Sequence, residues 1–321
     1  MALGHLVDGQ WVSDREQEDE KGRFVRPSTT FRNRVTADGS SGFPAVAGRY
    51  HLYVSYACPW AHRTLIARVL KGLEDAISLS VVDPYMGEDG WFFSDAPGCI
   101  PDRVNGGKYL WQIYTKAEPN YTGRVTVPIL WDKQKQTIVN NESREIIRML
   151  DTEFEAIAKN DINLVPDDLR DKIEETIDAI YQPINNGVYR AGFATTQSAY
   201  EEGLTDLFQT LEYWDKVLKK QRYLCGDRIT EADICMFTTL LRFDAVYYGH
   251  FKCNLRHIWD FSNLWNYLKD IYQQPGVEET CRFDHIKQHY YKSHNKINPT
   301  GIVPKGPILD LDSPHDRHVI S

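Results

Sequence analysis

No run of apolar residues in this 321-residue chain approaches the roughly 20 that a membrane-crossing helix needs, and Met1 to Trp11 contains no basic stretch leading into an apolar one. The expectation is a protein neither exported nor embedded, working in the cytoplasm. Positive charge is in deficit: 37 Lys and Arg stand against 45 Asp and Glu, net −8, and no basic cluster breaks that balance. Such a surface repels a phosphate backbone, which argues against a nucleic-acid partner. Cysteine is scarce as well. Cys58, Cys99, Cys225, Cys235, Cys253 and Cys281 are too few and too unevenly spaced for a disulfide framework, so free thiols in a reducing compartment are expected. Internal repeats are lacking too. What remains is an ordinary balance, 42% hydrophobic and 26% charged, long enough for two domains with cores of their own.

Residues 1–48 are polar and turn-rich, with Asp8-Gly9 and Asp38-Gly39, and read as an arm laid over a domain. The pattern then sharpens. Tyr50 to Val54 is rich in strand formers, Ala61, Leu65, Ile66, Val69 and Leu70 repeat at helical spacing up to Gly72, and Ile77 to Val82 forms a second apolar strand. This is a βαβ unit, in which the two strands pair in parallel. The stretch 84–126 is weakly periodic and longer than an idle loop, so it reads as an insertion over an active site. Val127 to Trp131 and Thr137 to Val139 follow as a hairpin, and Asn140 or Asn141 is expected to cap a helix carrying Glu142 and Glu145 in its first turn. Beyond Asp168 the pattern is helical throughout, over 169–184, 198–219, 231–247 and 261–272, with Thr230-Glu231-Ala232-Asp233 as a capping box and a proline-interrupted extended tail at 297–304. The fold class is thus an α/β N-terminal domain over 49–155 and an all-helical domain over 165–321.

The residue that carries chemistry is Cys58, in Tyr56-Ala57-Cys58-Pro59-Trp60-Ala61. A thiol attacks only as thiolate, and the unpaired amides and positive dipole end of a helix start favour that form. Pro59 suits the first helical turn because its missing N–H is not needed there. His62 and Arg63, about one turn on, add positive charge if they turn toward the sulfur. Ala61 stands where Cys-x-x-Cys would place the second thiol, so the site is monothiol and needs an external thiol, such as glutathione, for release. Cys281, His285 and His289 fall at four-residue steps on one helical face. Each step climbs about 6 Å, too far for one ion, so no metal is expected.

Strand, Cys-Pro-Trp-Ala, helix and strand, followed by Val127-Pro128 and by Glu142-Ser143 at a helix start, resemble the thioredoxin-fold half of a glutathione transferase. Leu224-Cys225-Gly226-Asp227 with Thr230 to Asp233 is similar to that family's helical half. The likeness is closest to the glutathionyl-hydroquinone reductases, the xi class, through Leu6-Val7-Asp8-Gly9-x-Trp11, Gly48 to Tyr56, Gly90-Trp91-x-Phe93 and His289-Tyr290-Tyr291-x-Ser293-His294. This resemblance implies glutathione as co-substrate, a glutathionylated hydroquinone as substrate and a homodimer. It implies Cys58 as nucleophile and Pro128 as a cis-proline presenting Val127 to the cysteinyl part of glutathione. Glu142 and Ser143 would hold the γ-glutamyl end, with Trp91 and Arg124 as further glutathione contacts. Tyr189 and Tyr290 would act on the ring, with Tyr291 the alternative to Tyr290. Two rival readings stay open: a thiol transferase or dehydroascorbate reductase of omega type, and a non-catalytic ligand-binding protein on the same fold.

Overall fold

The structure is a computed structural model that describes residues 4–13 and 18–320. In its first half, chain order runs β1 (His5–Val7), β2 (Gln10–Val12), β3 (Tyr50–Val54), α1 (Pro59–Leu70), β4 (Ser78–Val81), α2 (Trp111–Ala117), β5 (Gly123–Arg124), β6 (Ile129–Asp132), β7 (Thr137–Asn140) and α3 (Ser143–Thr152). Helices follow: α4 (Arg170–Ile180), α5 (Gly187–Gly192), α6 (Gln197–Leu218), α7 (Glu231–Arg242), α8 (Ser262–Tyr272) and α9 (Phe283–Ser293). Two compact units result. Of the described residues, the first holds 4–13, 27–162 and 280–303; the second holds 18–26, 163–279 and 304–320. None of the described helices is long and apolar enough to cross a membrane.

The first unit is α/β and thioredoxin-like. Its four-stranded sheet has the order β4-β3-β6-β7, with β3 parallel to β4 in the register His51↔Ser78 and antiparallel to β6. All five residues of β3 are buried, which is why an unbroken aromatic and aliphatic run forms it. Helix α1 packs on α3. It stops at Gly72, whose φ of +64° only glycine adopts freely, while Gly72 N–H bonds Val69 and Leu73 N–H bonds Arg68 to close a Schellman turn. A second, three-stranded sheet of order β2-β1-β5 was not expected. The arm therefore begins as a hairpin, its turn made by Asp8 (φ +46°) and Gly9 (φ +74°), the pair of left-handed residues a two-residue hairpin turn requires. Within the insertion, α2 is likewise a helix that weak periodicity concealed.

One buried group in β3 makes stability depend on pH. His51 is 2% exposed, with Nδ1 2.7 Å from Ser78 Oγ and Nε2 2.9 Å from Ser80 Oγ. Ser80 gives its own proton to Pro101 O at 3.1 Å, so it accepts from Nε2–H. Burial lowers its pKa to about 4 from 6.5, the Asp102 charge opposing weakly. A depressed folded pKa means the contribution is intact above 6.5 and is lost as pH falls through 4. Unfolding free energy should therefore fall by about 3 kcal/mol across that window through this residue alone. Denaturant titrations of wild type and His51→Asn should show this slope only in the wild type; equal slopes would refute it.

The second unit is all-helical, with α5 on α6, α6 on α8, and α7 against α4 and α8. The helix expected over 169–184 gives way after Ile180 to a π turn, Tyr181–Asn185, closed by Asn186 N–H on Tyr181 O at 2.8 Å. Pro183 is the cause: it has no N–H to give and its ring crowds the carbonyl four residues back. Residues 301–311 form neither helix nor strand.

Candidate active site

Cys58 is the N-cap of α1. Its backbone is extended (φ −77°, ψ 119°), Pro59 occupies the first helical position, and Cys58 O accepts the first intrahelical bond from His62 N–H at 3.0 Å. The thiol is half-buried and points at Val127 O, 3.7 Å away. Val127 is buried and joined to Pro128 by a cis peptide bond, just ahead of β6. The cysteine and the Val127-Pro128 backbone thus come together.

The helix cap differs from expectation. Neither Asn140 nor Asn141 caps α3; Glu142 does, its Oε1 accepting from Arg144 N–H at 3.3 Å. The asparagines are occupied otherwise. Asn140 Oδ1 accepts Glu142 N–H at 2.7 Å, while Asn141 bonds the Phe31 backbone and the Tyr114 hydroxyl. The other oxygen of Glu142 accepts from Thr29 Oγ1 at 3.2 Å, a contact from the arm with no signal in sequence. Ser143 is buried at the first position of the helix, where backbone N–H groups and hydroxyl together suit a carboxylate.

His62 and Arg63 are both buried rather than turned to solvent. His62 Nε2 lies 2.8 Å from Thr280 Oγ1 and 3.9 Å from Cys281 Sγ. Arg63 stacks on Trp60, 4.3 Å from its ring centroid, and reaches to 3.5 Å from Ser143 Oγ. It links the cysteine helix to the start of α3, a role sequence spacing did not reveal. On the γ-glutamyl role that the family resemblance implies for Ser143, Ser143→Ala should raise the KM for glutathione about tenfold, the weight of one hydrogen bond to a charged group, with kcat little changed. An unaltered KM would remove Ser143 from the glutathione site.

Trp91 is buried and stacks on His289 with centroids 4.7 Å apart and planes 22° apart. His289 Nδ1–H donates to Pro84 O at 3.0 Å, and Ser293 Oγ accepts Met86 N–H at 2.9 Å, so α9 is fastened to the start of the insertion. On α9, Tyr290 is 2% exposed and meets His289 and His294 edge-on, whereas Tyr291 is half-buried, its phenol pushed up by burial. Arg124 lies in β5, paired with His5, and its carbonyl accepts from the Tyr121 hydroxyl at 3.1 Å. Tyr189 belongs to the second unit, on α5, among Phe24, Phe193, Tyr247 and Phe251. His285 bonds Pro97 O at 2.8 Å, so Cys281, His285 and His289 each face a different partner, and no group of three metal-ligating side chains occurs among the described residues.

Residues 57–153 match the family model described as glutathione S-transferase, N-terminal domain, and residues 197–270 match the one described as glutathione S-transferase, C-terminal domain. A glutathione transferase is the class of protein that this fold and this cysteine define. Among curated proteins, the chain is 51% identical to the glutathionyl-hydroquinone reductase YqjG of Escherichia coli, over 99% of each chain. It is 50% identical to the glutathionyl-hydroquinone reductase PcpF of Sphingobium chlorophenolicum, over 96% of this chain and 98% of that one. Among solved structures, it resembles a xi-class transferase of Natrialba magadii with TM-score 0.94 and 55% identity, covering 100% of this chain and 98% of that one. The glutathione-bound structure of YqjG gives TM-score 0.91 and 51% identity over 98% and 99%. The chain belongs to the xi class of that family, the glutathionyl-hydroquinone reductases.

Proposed function

We propose that this enzyme removes glutathione from glutathionylated hydroquinones through the thiolate of Cys58. The observation that carries the reading is a half-buried thiol at the first turn of α1, 3.7 Å from the Val127 carbonyl. Glutathione docks with its cysteinyl backbone on Val127, beside Pro128, and its γ-glutamyl end at Glu142 and Ser143, the carboxylate receiving the ammonium. Trp91 and Arg124 complete that site. The substrate reacts in its keto tautomer. Cys58 S⁻ attacks the glutathionyl sulfur, the C–S bond breaks, and its electron pair passes into the ring, which takes a proton and leaves as hydroquinone. Tyr189 and Tyr290 hydrogen-bond the ring oxygens as charge develops on them, with Tyr291 the alternative to Tyr290. A second glutathione thiolate attacks the Cys58 mixed disulfide, giving glutathione disulfide and returning Cys58 S⁻. The ring carbon is reduced by two electrons while the thioether sulfur of the substrate and the thiol of the second glutathione are oxidised to one disulfide, so the cycle balances without a resident redox cofactor.

Turnover of glutathionyl-menadiol with glutathione, together with mass spectrometry for a glutathione adduct on Cys58, tests the scheme. A chain that releases no menadiol is not this reductase. A relative 46% identical, from Schizosaccharomyces pombe, is named glutathione S-transferase omega-like 2, and the second reading is a thiol transferase or dehydroascorbate reductase of omega type. Relative rates on glutathionyl-menadiol and on a small mixed disulfide of glutathione separate the two. The cytoplasmic location and the homodimer belong to the same proposal, the latter checked by sedimentation.

A further inference from the structure

The proposed chemistry gives no role to Arg26, yet the second unit builds this residue against a ring that the reaction uses. Its guanidinium carbon lies 4.8 Å from the centroid of Tyr189 and 5.3 Å from that of Phe24. Nε donates to Asn186 Oδ1 at 2.9 Å, and Asn186 is itself buried. Asn186 O in turn accepts the backbone N–H of Tyr189 at 3.0 Å, so one residue anchors both the cation and the turn that carries the phenol. Four further rings bound Tyr189: Phe24 at 6.1 Å, Phe193 and Tyr247 at 6.0 Å and Phe251 at 5.6 Å.

Fastening segment 18–26 to the helices does not require this arrangement. Thr195 N–H already bonds Gly22 O, Thr196 Oγ1 bonds Lys21 O at 2.9 Å, and Arg23 pairs with Glu202 at 2.7 Å. What Arg26 adds is a positive charge over the ring of Tyr189. A cation there draws on the π electrons and leaves the phenolic O–H a stronger hydrogen-bond donor. An arginine does this better than a lysine, because its planar group covers the ring while its Nε keeps the bond to Asn186.

We propose that Arg26 is a positioning residue for the hydroquinone half of the reaction: stacked on Tyr189 and tied to Asn186, it holds that phenol and strengthens it as donor to the oxygen on which charge develops. This rests on the role given above to Tyr189. The consequence is selective. The step that expels the ring depends on Arg26, and the capture of glutathione in the first unit does not.

The test is a double-mutant cycle on the full chain with glutathionyl-menadiol and glutathione, using Arg26→Met, Arg26→Lys, Tyr189→Phe and the Met/Phe pair, with thermal melts to confirm folding. Arg26→Met should lower kcat for menadiol release about tenfold, the scale of a partly desolvated cation–π contact, and leave the KM for glutathione unchanged. Arg26→Lys should recover part of that loss. In the Tyr189→Phe background, Arg26→Met should cost nothing more. An equal further loss in that background would make Arg26 a structural residue only, and a wild-type kcat in Arg26→Met beside a damaged Tyr189→Phe would overturn the proposal alone. A wild-type rate in Tyr189→Phe removes the role of Tyr189 itself, and that of Arg26 with it.

Discussion

Cys58→Ser is expected to abolish turnover of glutathionyl-menadiol, by roughly 10⁴-fold or more, the scale on which removal of a covalent nucleophile acts. A hydroxyl at this place is protonated at neutral pH and is a poor nucleophile toward sulfur, so neither the attack nor the mixed disulfide survives the exchange. The substitution is nearly isosteric, so folding and glutathione binding should persist and isolate the chemical step. Three of the six thiols are half-buried, Cys58, Cys99 and Cys281, while Cys225, Cys235 and Cys253 are buried. Burial raises the pKa of Cys99, which leaves it a thiol at neutral pH. Cys281 sits beside His62, one turn from Cys58 along α1, and is the rival to watch. Mass spectrometry should therefore find the adduct on Cys58 in wild type, and no adduct in Cys58→Ser. An active Cys58→Ser, or an adduct on Cys281 in wild type, would move the nucleophile.

Much of this site could be read locally. A strand, a cysteine, a proline and a helix lie within 21 residues, 50–70, and the chemistry of a helix start depends on neighbours in sequence, so β3, α1 and Cys58 were legible, as was the parallel partner β4. The hairpin β6–β7 was legible because two apolar runs flank a polar turn. What failed depended on distant partners. β1, β2 and β5 are only two or three residues long, too short for any periodicity, and exist because each completes the others' hydrogen bonding. The cap of α3 was expected at Asn140 or Asn141 and falls on Glu142, because Phe31 and Tyr114 take Asn141 and the Glu142 N–H takes Asn140. That α9 belongs with residues 27–162 has no local mark at all; His289 on Pro84 and Ser293 on Met86 are bonds across some 200 residues of chain. Arg63 was seen as charge near sulfur, but its reach to Ser143 needed the packing of α1 on α3.

Asp233→Ala is expected to destabilise the helical unit by about 4 kcal/mol, because it strands several buried donors at once. The carboxylate is fully buried at the third position of α7 and accepts four bonds. Oδ2 takes Thr230 N–H at 2.8 Å and Thr230 Oγ1 at 2.9 Å; Oδ1 takes Leu224 N–H at 2.8 Å and the Tyr267 hydroxyl at 2.9 Å. Burial pushes its pKa up to about 6 and those four donors hold it from rising further, so at neutral pH it is the charged acceptor the geometry demands. One side chain thereby joins the turn at Leu224, the start of α7 and the face of α8. All twelve residues of α7 are buried, so water cannot replace the lost acceptor without opening the helix end. The melting temperature of the full chain should drop by roughly 10 °C, while Tyr267→Phe, which deletes one donor and strands none, should cost about 1 kcal/mol. Asp233→Asn should fall between them, since its amide nitrogen faces donors on one side. If Asp233→Ala melts within a degree or two of wild type, the carboxylate is not the tie that holds α7 to its neighbours, and the capping box is only an ornament of the helix start.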